Sequence, residues 1–210
     1  MAQDSEDHGE ALPPFEGVVL CGGSSRRMGR DKACVPVDGV PLAVRVARAL
    51  TAAGAVSVRA VGGDEAVLGA HGLAVERDRY PGEGPLGGVV TALRGGDAEV
   101  EIVVVLACDL WNIGPVEIRA VVGALGAAPD AEAAAPVADD GRPQLLTAAF
   151  RRRVLPRLES AFTVGERAVR RGFEGARWVP VEGLDPERLV DADEPWQLPG
   201  GDQLLPTDGR

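Results

Sequence analysis

The sequence has 210 residues, 45% of them hydrophobic, and a formal net charge of -10, which indicates a globular protein of about one domain. The acidic balance argues against general binding of nucleic acids or membrane surfaces, because both need an excess of Lys and Arg. A polar, acidic start and apolar runs too short for a membrane span predict a cytoplasmic protein without a signal peptide.

Strand and helix patterns alternate along the first part of the chain. The predicted strands are 17–21, 55–63, 73–78 and 101–110, and the predicted helices are 40–54, 64–72, 84–96 and 114–126. The strand at 101–110 is apolar on both faces, which is typical of the middle of a covered sheet. This alternation predicts an α/β fold with a mostly parallel central sheet and helices on both faces.

The pattern changes after Gly126. We predict two strands joined by a turn at 139–143, helices at 151–162 and 164–173, a strand at 176–181, and a strand running into a turn at 189–198. The three arginines at 151–153 are interpreted as a solvated helix face, although an anionic phosphate could rest nearby. We expect a single domain over residues 16–198, with disordered tails at 1–15 and 199–210.

The chain has three cysteines, Cys21, Cys34 and Cys108. Their odd number and wide spacing predict neither a disulfide framework nor a zinc site. Each lies in or near an apolar run, so we interpret them as reduced structural thiols.

A basic, glycine-rich segment, "LCGGSSRRMGRDKA" from Leu20 to Ala33, follows the first predicted strand. Ligands of open parallel sheets bind beyond the carboxyl ends of the strands, so the segment is well placed to meet one. Gly22 and Gly23 allow a tight turn and a close approach of backbone N–H groups to an anion. The segment gathers four cations in an acidic chain: Arg26, Arg27, Arg30 and Lys32. We therefore predict a cradle for a polyphosphate, with a solvated basic turn as the simpler alternative.

Two known phosphate-binding patterns do not describe this segment. The P-loop pattern fails, because five residues separate Gly23 from Gly29 and Arg30 stands where Lys is required. The dinucleotide pattern G-x-G-x-x-G occurs only later, at Gly82, Gly84 and Gly87, after the third predicted strand rather than the first. We give that match little weight.

The same segment resembles the signature L-A-G-G-x-S-x-R-M-G-x-D-K of the molybdenum cofactor guanylyltransferases, with Cys21 where Ala is usual. The resemblance extends over about residues 17–198, through "DRYPGEGPLGG", "VVLACDL" and "VGERAVRR". It implies a Rossmann-like, three-layer α/β/α fold. It also implies transfer of GMP from GTP to the terminal phosphate of molybdopterin carrying molybdenum, with release of pyrophosphate.

The resemblance further implies roles for individual residues. The implied nucleotide-binding residues are Leu20, Cys21, Gly22, Gly23, Ser24, Arg27, Lys32, Asp78 and Asp109. Lys32 and Asp109 form the implied catalytic pair, in which Lys32 contacts the phosphates and Asp109 binds Mg²⁺ and GTP together. Asp191 or Asp193 is the candidate for a second metal or substrate contact. The implied partners are GTP and molybdopterin, with no nucleic acid or membrane and with transient contacts to other molybdenum cofactor proteins.

Each role has a structural alternative. Asp109 could cap the helix that follows, although Pro115 makes this less natural. Lys32 could be a solvated surface cation, and Asp78 could start the turn before "RYPG", a role compatible with ligand binding.

The chain departs from the family pattern at two places. "LWN" follows Asp109 where the family has Met-Pro-Phe or similar, and "DADEPWQL" stands where it has N-x-N-T-P-E-D-L. These departures leave two other functions open. One is a sibling nucleotidyltransferase that uses CTP or another phosphorylated acceptor, and the other is a nucleotide-binding regulator that has lost catalysis.

Overall fold

The computed structural model describes residues 11–22, 31–138 and 140–192. Its strands are β1 (Phe15–Leu20), β2 (Pro36–Val37), β3 (Val40–Pro41), β4 (Ser57–Val61), β5 (Ala74–Glu76), β6 (Ile102–Ala107), β7 (Ala133–Pro136), β8 (Thr147–Arg151) and β9 (Trp178–Val181). Its helices are α1 (Leu42–Ala53), α2 (Glu65–Ala70), α3 (Pro85–Arg94), α4 (Pro115–Ala127), α5 (Leu155–Thr163) and α6 (Val169–Gly172). None of these helices is both long enough and apolar enough to cross a bilayer.

Seven of these strands form one sheet in the order β5–β4–β1–β6–β8–β7–β9, and β2 and β3 form a separate hairpin. Within the sheet the pairs β1–β4, β1–β6, β4–β5 and β7–β9 are parallel. Among the seven strands, only β8 runs antiparallel to its neighbours, β6 and β7. The prediction of a mostly parallel sheet is confirmed.

Helices cover both faces of this sheet and complete three layers. On one face, α1, α2 and α4 bury residues such as Leu50, Leu68 and Val122 against the sheet. On the other face, α3, α5 and α6 bury residues such as Leu93 and Leu158. Both cores consist largely of Val, Leu and Ala, as the scarcity of aromatic residues leads one to expect.

Helix α1 packs directly on β1 because Gly17 lies where the two cross. A Cβ atom on Gly17 would lie only 2.9 Å from Leu50 Cδ1, so any larger residue would push the helix outward. The start of α1 is in turn tied to the preceding chain, since Leu42 N–H donates to Val35 O at 3.0 Å. The position of α1 therefore fixes the position of the residues that precede it.

The order of the strands creates a crevice at the carboxyl ends of β1 and β6. Strands β4 and β5, which follow β1 in the chain, lie on one side of it in the sheet. The next strand of the sheet, β6, pairs with β1 on its other side. Ligands of open α/β sheets bind at such a reversal. Cys21 and Gly22 follow β1 and Asp109 follows β6, so these residues lie at this crevice.

A buried ion network lies at the opposite edge of the sheet, around Glu16, which is 2% exposed. The Glu16 carboxylate accepts hydrogen bonds from Ser57 Oγ, Arg59 Nη1, the Asp97 backbone N–H and Arg152 Nη2. Burial lowers the pKa of Arg152. The interpretation of 151–153 as a solvated face is wrong for Arg151 and Arg152, because β8 ends at Arg151 and both side chains turn into the protein.

Several predicted boundaries change, and the helix predicted at 164–173 is limited to α6, Val169–Gly172. Phe15, which we assigned to the N-terminal tail, is the first residue of β1 and is 1% exposed, because it packs in the core. Residues 189–192 form no strand and instead follow a 3₁₀ turn, Pro186–Arg188. The helix predicted at 151–162 is preceded by a 3₁₀ turn and begins at Leu155. Residues 11–14 of the predicted tail are also described, and Leu12 packs against the core. The rest of the predicted tails, 1–10 and 199–210, lies outside the described residues.

Replacing Glu16 with Ala is expected to lower the free energy of unfolding by about 3–5 kcal/mol, because Arg152 would lose its carboxylate partner and Arg59 would lose one of two. Urea denaturation followed by circular dichroism measures this change. Glu159→Ala is the matched control, since it removes the more exposed pair with Arg94 and should cost less than about 1 kcal/mol. Equal losses in the two variants would contradict a stabilising role for the buried network.

Candidate functional site

Lys32 and Asp109 meet at the crevice although they are 77 positions apart in the sequence. The Lys32 ammonium donates a hydrogen bond to Asp109 Oδ2 at 2.8 Å. The two side chains are 9% and 20% exposed, so the pair is largely shielded from water. Lys32 begins a 3₁₀ turn, Lys32–Cys34, which Asp31 caps by accepting Ala33 N–H at 3.0 Å. One triphosphate could therefore touch both members of the pair.

The two carboxylate oxygens of Asp109 have different surroundings. Oδ2 accepts from Lys32, whereas Oδ1 is buried and has no hydrogen-bond partner among the described residues. Buried polar atoms are nearly always satisfied, so Oδ1 indicates a partner beyond those residues. The alternative role of Asp109 as a helix cap is excluded, because the N-cap of α4 is Gly114.

The end of β1 is held from both sides. Leu20 O accepts Cys108 N–H at 3.1 Å, and Cys21 N–H donates to the last carbonyl of β4 at 2.9 Å. The residue after Cys21, Gly22, lies beside Gly62, since a Cβ atom on Gly62 would be 3.5 Å from Gly22 N. Leu20, Cys21 and Gly22 thus border the crevice. The remaining predicted residues of the segment, Gly23, Ser24 and Arg27, lie outside the described part of the chain.

Asp78 borders the same crevice from the loop after β5. Its Oδ2 would lie 3.3 Å from a Cβ atom on Gly22. Its Oδ1 accepts Tyr80 N–H at 3.0 Å, which is the hydrogen bond of a turn-starting Asp. The turn uses one carboxylate oxygen and leaves the other beside the crevice, so the turn role leaves room for ligand binding.

Thr91 is a residue that the sequence patterns did not indicate. It is fully buried in α3, and its hydroxyl donates to Asp78 Oδ1 at 3.1 Å. In the sequence, Thr91 stands among the apolar residues of a predicted helix. No local pattern distinguishes it from a residue that merely packs in the core, so its contact with Asp78 could not be predicted.

Arg167 braces the loop that follows Asp78. Its Nε donates to Glu83 at 2.7 Å, and its guanidinium carbon lies 4.2 Å from the centre of the Phe162 ring. Its backbone N–H is held by the Glu166 carboxylate, and the pKa of Glu166 is lowered by hydrogen bonds from Ala168 N–H and Arg167 N–H. The "GER" motif, which contributed to the family resemblance, therefore has a structural role in this chain.

The three cysteines converge beside the crevice. Cys21 and Cys108 directly follow Leu20 and Ala107, which are paired residues of β1 and β6. A hydrogen bond with Cys108, together with burial, raises the pKa of Cys21 well above its usual value, and burial raises the pKa of Cys34. All three are free thiols. Sequence spacing concealed this grouping, because neighbouring strands bring distant residues together.

The last described residues return to Asp109. Ala192 N–H donates to Asp109 O at 3.1 Å, and the exposed Asp191 precedes it. Asp191 lines a cleft of about 480 Å³ at the ends of β7 and β9, together with Gln144 and Glu182. The other candidate for a second contact, Asp193, lies outside the described residues.

The two departures from the family pattern lie close together. Trp111 packs in an apolar cluster that contains Ala192. Asn112 donates to Glu187 O at 3.0 Å and accepts from Arg188 Nη1 at 3.2 Å. Trp111 and Asn112, which follow Asp109, are therefore in contact with Ala192 of the C-terminal stretch and with residues just before it.

Comparison with known proteins places the chain in a family. Residues 17–179 match the model of the MobA-like NTP transferase domain. A molybdenum cofactor guanylyltransferase from Rhodobacter capsulatus is 34% identical over 193 residues, which cover 90% of this chain and 95% of that protein. Another from Pseudomonas putida is 36% identical over 203 residues, covering 87% of this chain and 99% of that protein.

Solved structures share the fold. Molybdopterin-guanine dinucleotide biosynthesis protein A from Archaeoglobus fulgidus has a TM-score of 0.71 at 24% identity, covering 90% of this chain and 97% of that chain. A 4-diphosphocytidyl-2C-methyl-D-erythritol synthase from Anaerococcus prevotii has a TM-score of 0.66 at 11% identity, covering 91% of this chain and 95% of that chain. These likenesses confirm the Rossmann-like α/β architecture. The chain belongs to the molybdenum cofactor guanylyltransferase family, because its sequence matches members of that family over most of its length.

Proposed function

We propose that this protein transfers GMP from GTP to the terminal phosphate of molybdopterin and releases pyrophosphate. The contact between Lys32 and Asp109 is the observation that carries the proposal, because it brings a phosphate-binding cation and a metal-binding carboxylate within reach of one triphosphate. The relatives named guanylyltransferases support GTP as the donor and molybdopterin as the acceptor.

The reaction needs positioning and charge neutralisation more than covalent catalysis. An oxygen of the acceptor phosphate attacks the α-phosphorus of GTP and forms a new P–O bond. The bond between the α-phosphorus and the oxygen that bridges it to the β-phosphorus breaks, and pyrophosphate leaves with the electron pair. Lys32 offsets the negative charge that develops on the phosphate oxygens. Its shielding from water strengthens this attraction, because the local dielectric constant is lower than that of solvent.

The described residues fit Mg²⁺ at Asp109. Its Oδ1 is a buried carboxylate oxygen without a hydrogen-bond partner in the described ranges, and Mg²⁺ takes one or two such oxygens together with phosphates and water. Those ranges contain no group of three or more acidic, His or Cys side chains arranged to hold a metal, so substrate phosphates would supply further ligands. Bound Mg²⁺ would polarise the phosphates and offset their charge. Asp191 or Asp193 remains the candidate for a second contact.

The acceptor would approach through the cleft lined by Gln144, Glu182 and Asp191. Asp191 lines this cleft, and the next residue, Ala192, donates its backbone N–H to Asp109 O, which supports the cleft as the entry route. The proposal includes a cytoplasmic location and transient contacts with other molybdenum cofactor proteins, to which the finished dinucleotide would pass.

Asp109→Asn is expected to lower the rate of pyrophosphate release from GTP and molybdopterin by about 100-fold, because the amide keeps the shape but not the charge. A coupled pyrophosphate assay measures the rate. Glu101→Gln, at the other end of β6, is the matched control and should keep the wild-type rate. A wild type that binds GTP but releases no pyrophosphate would instead support a regulator without catalysis.

GTP with Mg²⁺ is expected to raise the melting temperature by about 5–10 °C at a concentration near 100 times its Kd, because it binds only the folded state. CTP, ATP and UTP at equal concentration should give much smaller shifts. Differential scanning fluorimetry measures all four. Stabilisation by CTP without stabilisation by GTP would refute guanylyl transfer and point to a cytidylyl enzyme.

A further inference from the structure

We infer that Thr91 is a positioning residue of the nucleotide site and that it acts through Asp78. The inference rests on the proposed function, in which Asp78 contacts GTP. Thr91 lies in α3 and has an exposed fraction of 0%. Its neighbours in the second half of this helix, Val89, Val90, Ala92 and Leu93, are apolar and buried. A hydroxyl in such surroundings needs hydrogen-bond partners, because an unpaired polar group is costly to bury.

The Thr91 hydroxyl has three partners within hydrogen-bond distance. Its Oγ1 lies 3.1 Å from Asp78 Oδ1 and 3.0 Å from Gly87 O, and it accepts Arg79 N–H at 3.2 Å. A hydroxyl has one proton and can serve one acceptor fully at a time. A helical Thr commonly donates to the carbonyl four residues earlier, but a carboxylate is the stronger acceptor. The carboxylate of Asp78 is therefore the favoured acceptor for the Thr91 proton.

This arrangement fixes the rotation of the Asp78 carboxylate. Oδ1 receives two donors, Tyr80 N–H at 3.0 Å and the Thr91 hydroxyl at 3.1 Å. With Oδ1 held on the protein side, Oδ2 lies beside Gly22, where it would be 3.3 Å from a Cβ atom. Without the Thr91 hydroxyl, the hydrogen bond from Tyr80 N–H would be the remaining contact that holds Asp78 Oδ1, and Arg79 N–H would lose its acceptor.

Thr91 is held on a rigid element. A Cβ atom on Gly88 would lie 3.5 Å from Leu20 Cδ2, and one on Gly87 would lie 2.8 Å from Tyr80 Cβ. Gly87 thus lets α3 approach the turn after Asp78, and α3 also lies against Leu20 at the end of β1. The Thr91 hydroxyl is therefore presented to Asp78 by a helix that packs on both sides of the site.

The experiment compares the Kd for GTP with Mg²⁺, measured by calorimetry on the full chain, among the wild type and substituted variants. Thr91→Val keeps the shape but removes the hydroxyl, and it is expected to weaken GTP binding about tenfold. Thr91→Ser keeps the hydroxyl and should bind GTP as the wild type does. Thr51→Val is a control, because the Thr51 hydroxyl also donates to a carbonyl four residues earlier but lies in α1, away from the crevice.

The decisive comparison uses Asp78→Ala alone and combined with Thr91→Val. If Thr91 acts through Asp78, adding Thr91→Val to Asp78→Ala changes the Kd no further. The same tenfold loss in both backgrounds, or wild-type binding by Thr91→Val, would overturn the inference and leave the proposed function standing. Wild-type binding by Asp78→Ala would overturn both the inference and the proposed role of Asp78. Thr91→Ala replaces Thr91→Val if the valine variant does not fold, since Ala favours helix.

Discussion

The pairing of β1 with β6 determines where the chemistry of this protein can occur. Parallel strands end at the same edge of a sheet, and at that edge Lys32 Nζ lies 2.8 Å from Asp109 Oδ2. A shielded ion pair contributes little to stability unless hydrogen bonds also satisfy its remaining atoms, because the cost of desolvating both charges offsets their attraction. The pair is better explained as a binding site for a third charged group. The buried Asp109 Oδ1, which lacks a hydrogen-bond partner in the described chain, agrees with that explanation.

The two edges of the sheet contrast in how completely their charges are satisfied. At the amino edge, the Glu16 carboxylate accepts four hydrogen bonds, and two arginines close the network. At the carboxyl edge, Asp78 and Asp109 each direct one oxygen away from the contacts that hold the other. Full satisfaction stabilises a fold, whereas a partly satisfied group is ready to accept a ligand. The distribution of buried charge thus separates the stabilising edge from the functional one.

The alternating patterns of the sequence predicted the parallel sheet, the helices on both faces and the crevice, because these follow from local periodicity and from strand order. The contact between Lys32 and Asp109 agrees with the pair that the family resemblance implied, and Asp109 lies just after the end of β6. The buried state of Arg151 and Arg152 did not, because a run of arginines looks the same on a solvated helix and in an ion network. The grouping of the cysteines and the role of Thr91 depend on which strands and helices become neighbours. Local patterns do not contain that information.

The missing side chain of Gly17 has an effect well beyond β1. It allows Leu50 to lie against the strand and sets the separation between α1 and the sheet. Helix α1 is joined to Val35 by the hydrogen bond from Leu42, and Val35 N–H in turn donates to Lys32 O at 3.1 Å. The backbone of Lys32 is therefore linked, through α1, to the close contact between Gly17 and Leu50. A methyl group added to Gly17 would strain that contact and disturb the support of the lysine from a distance.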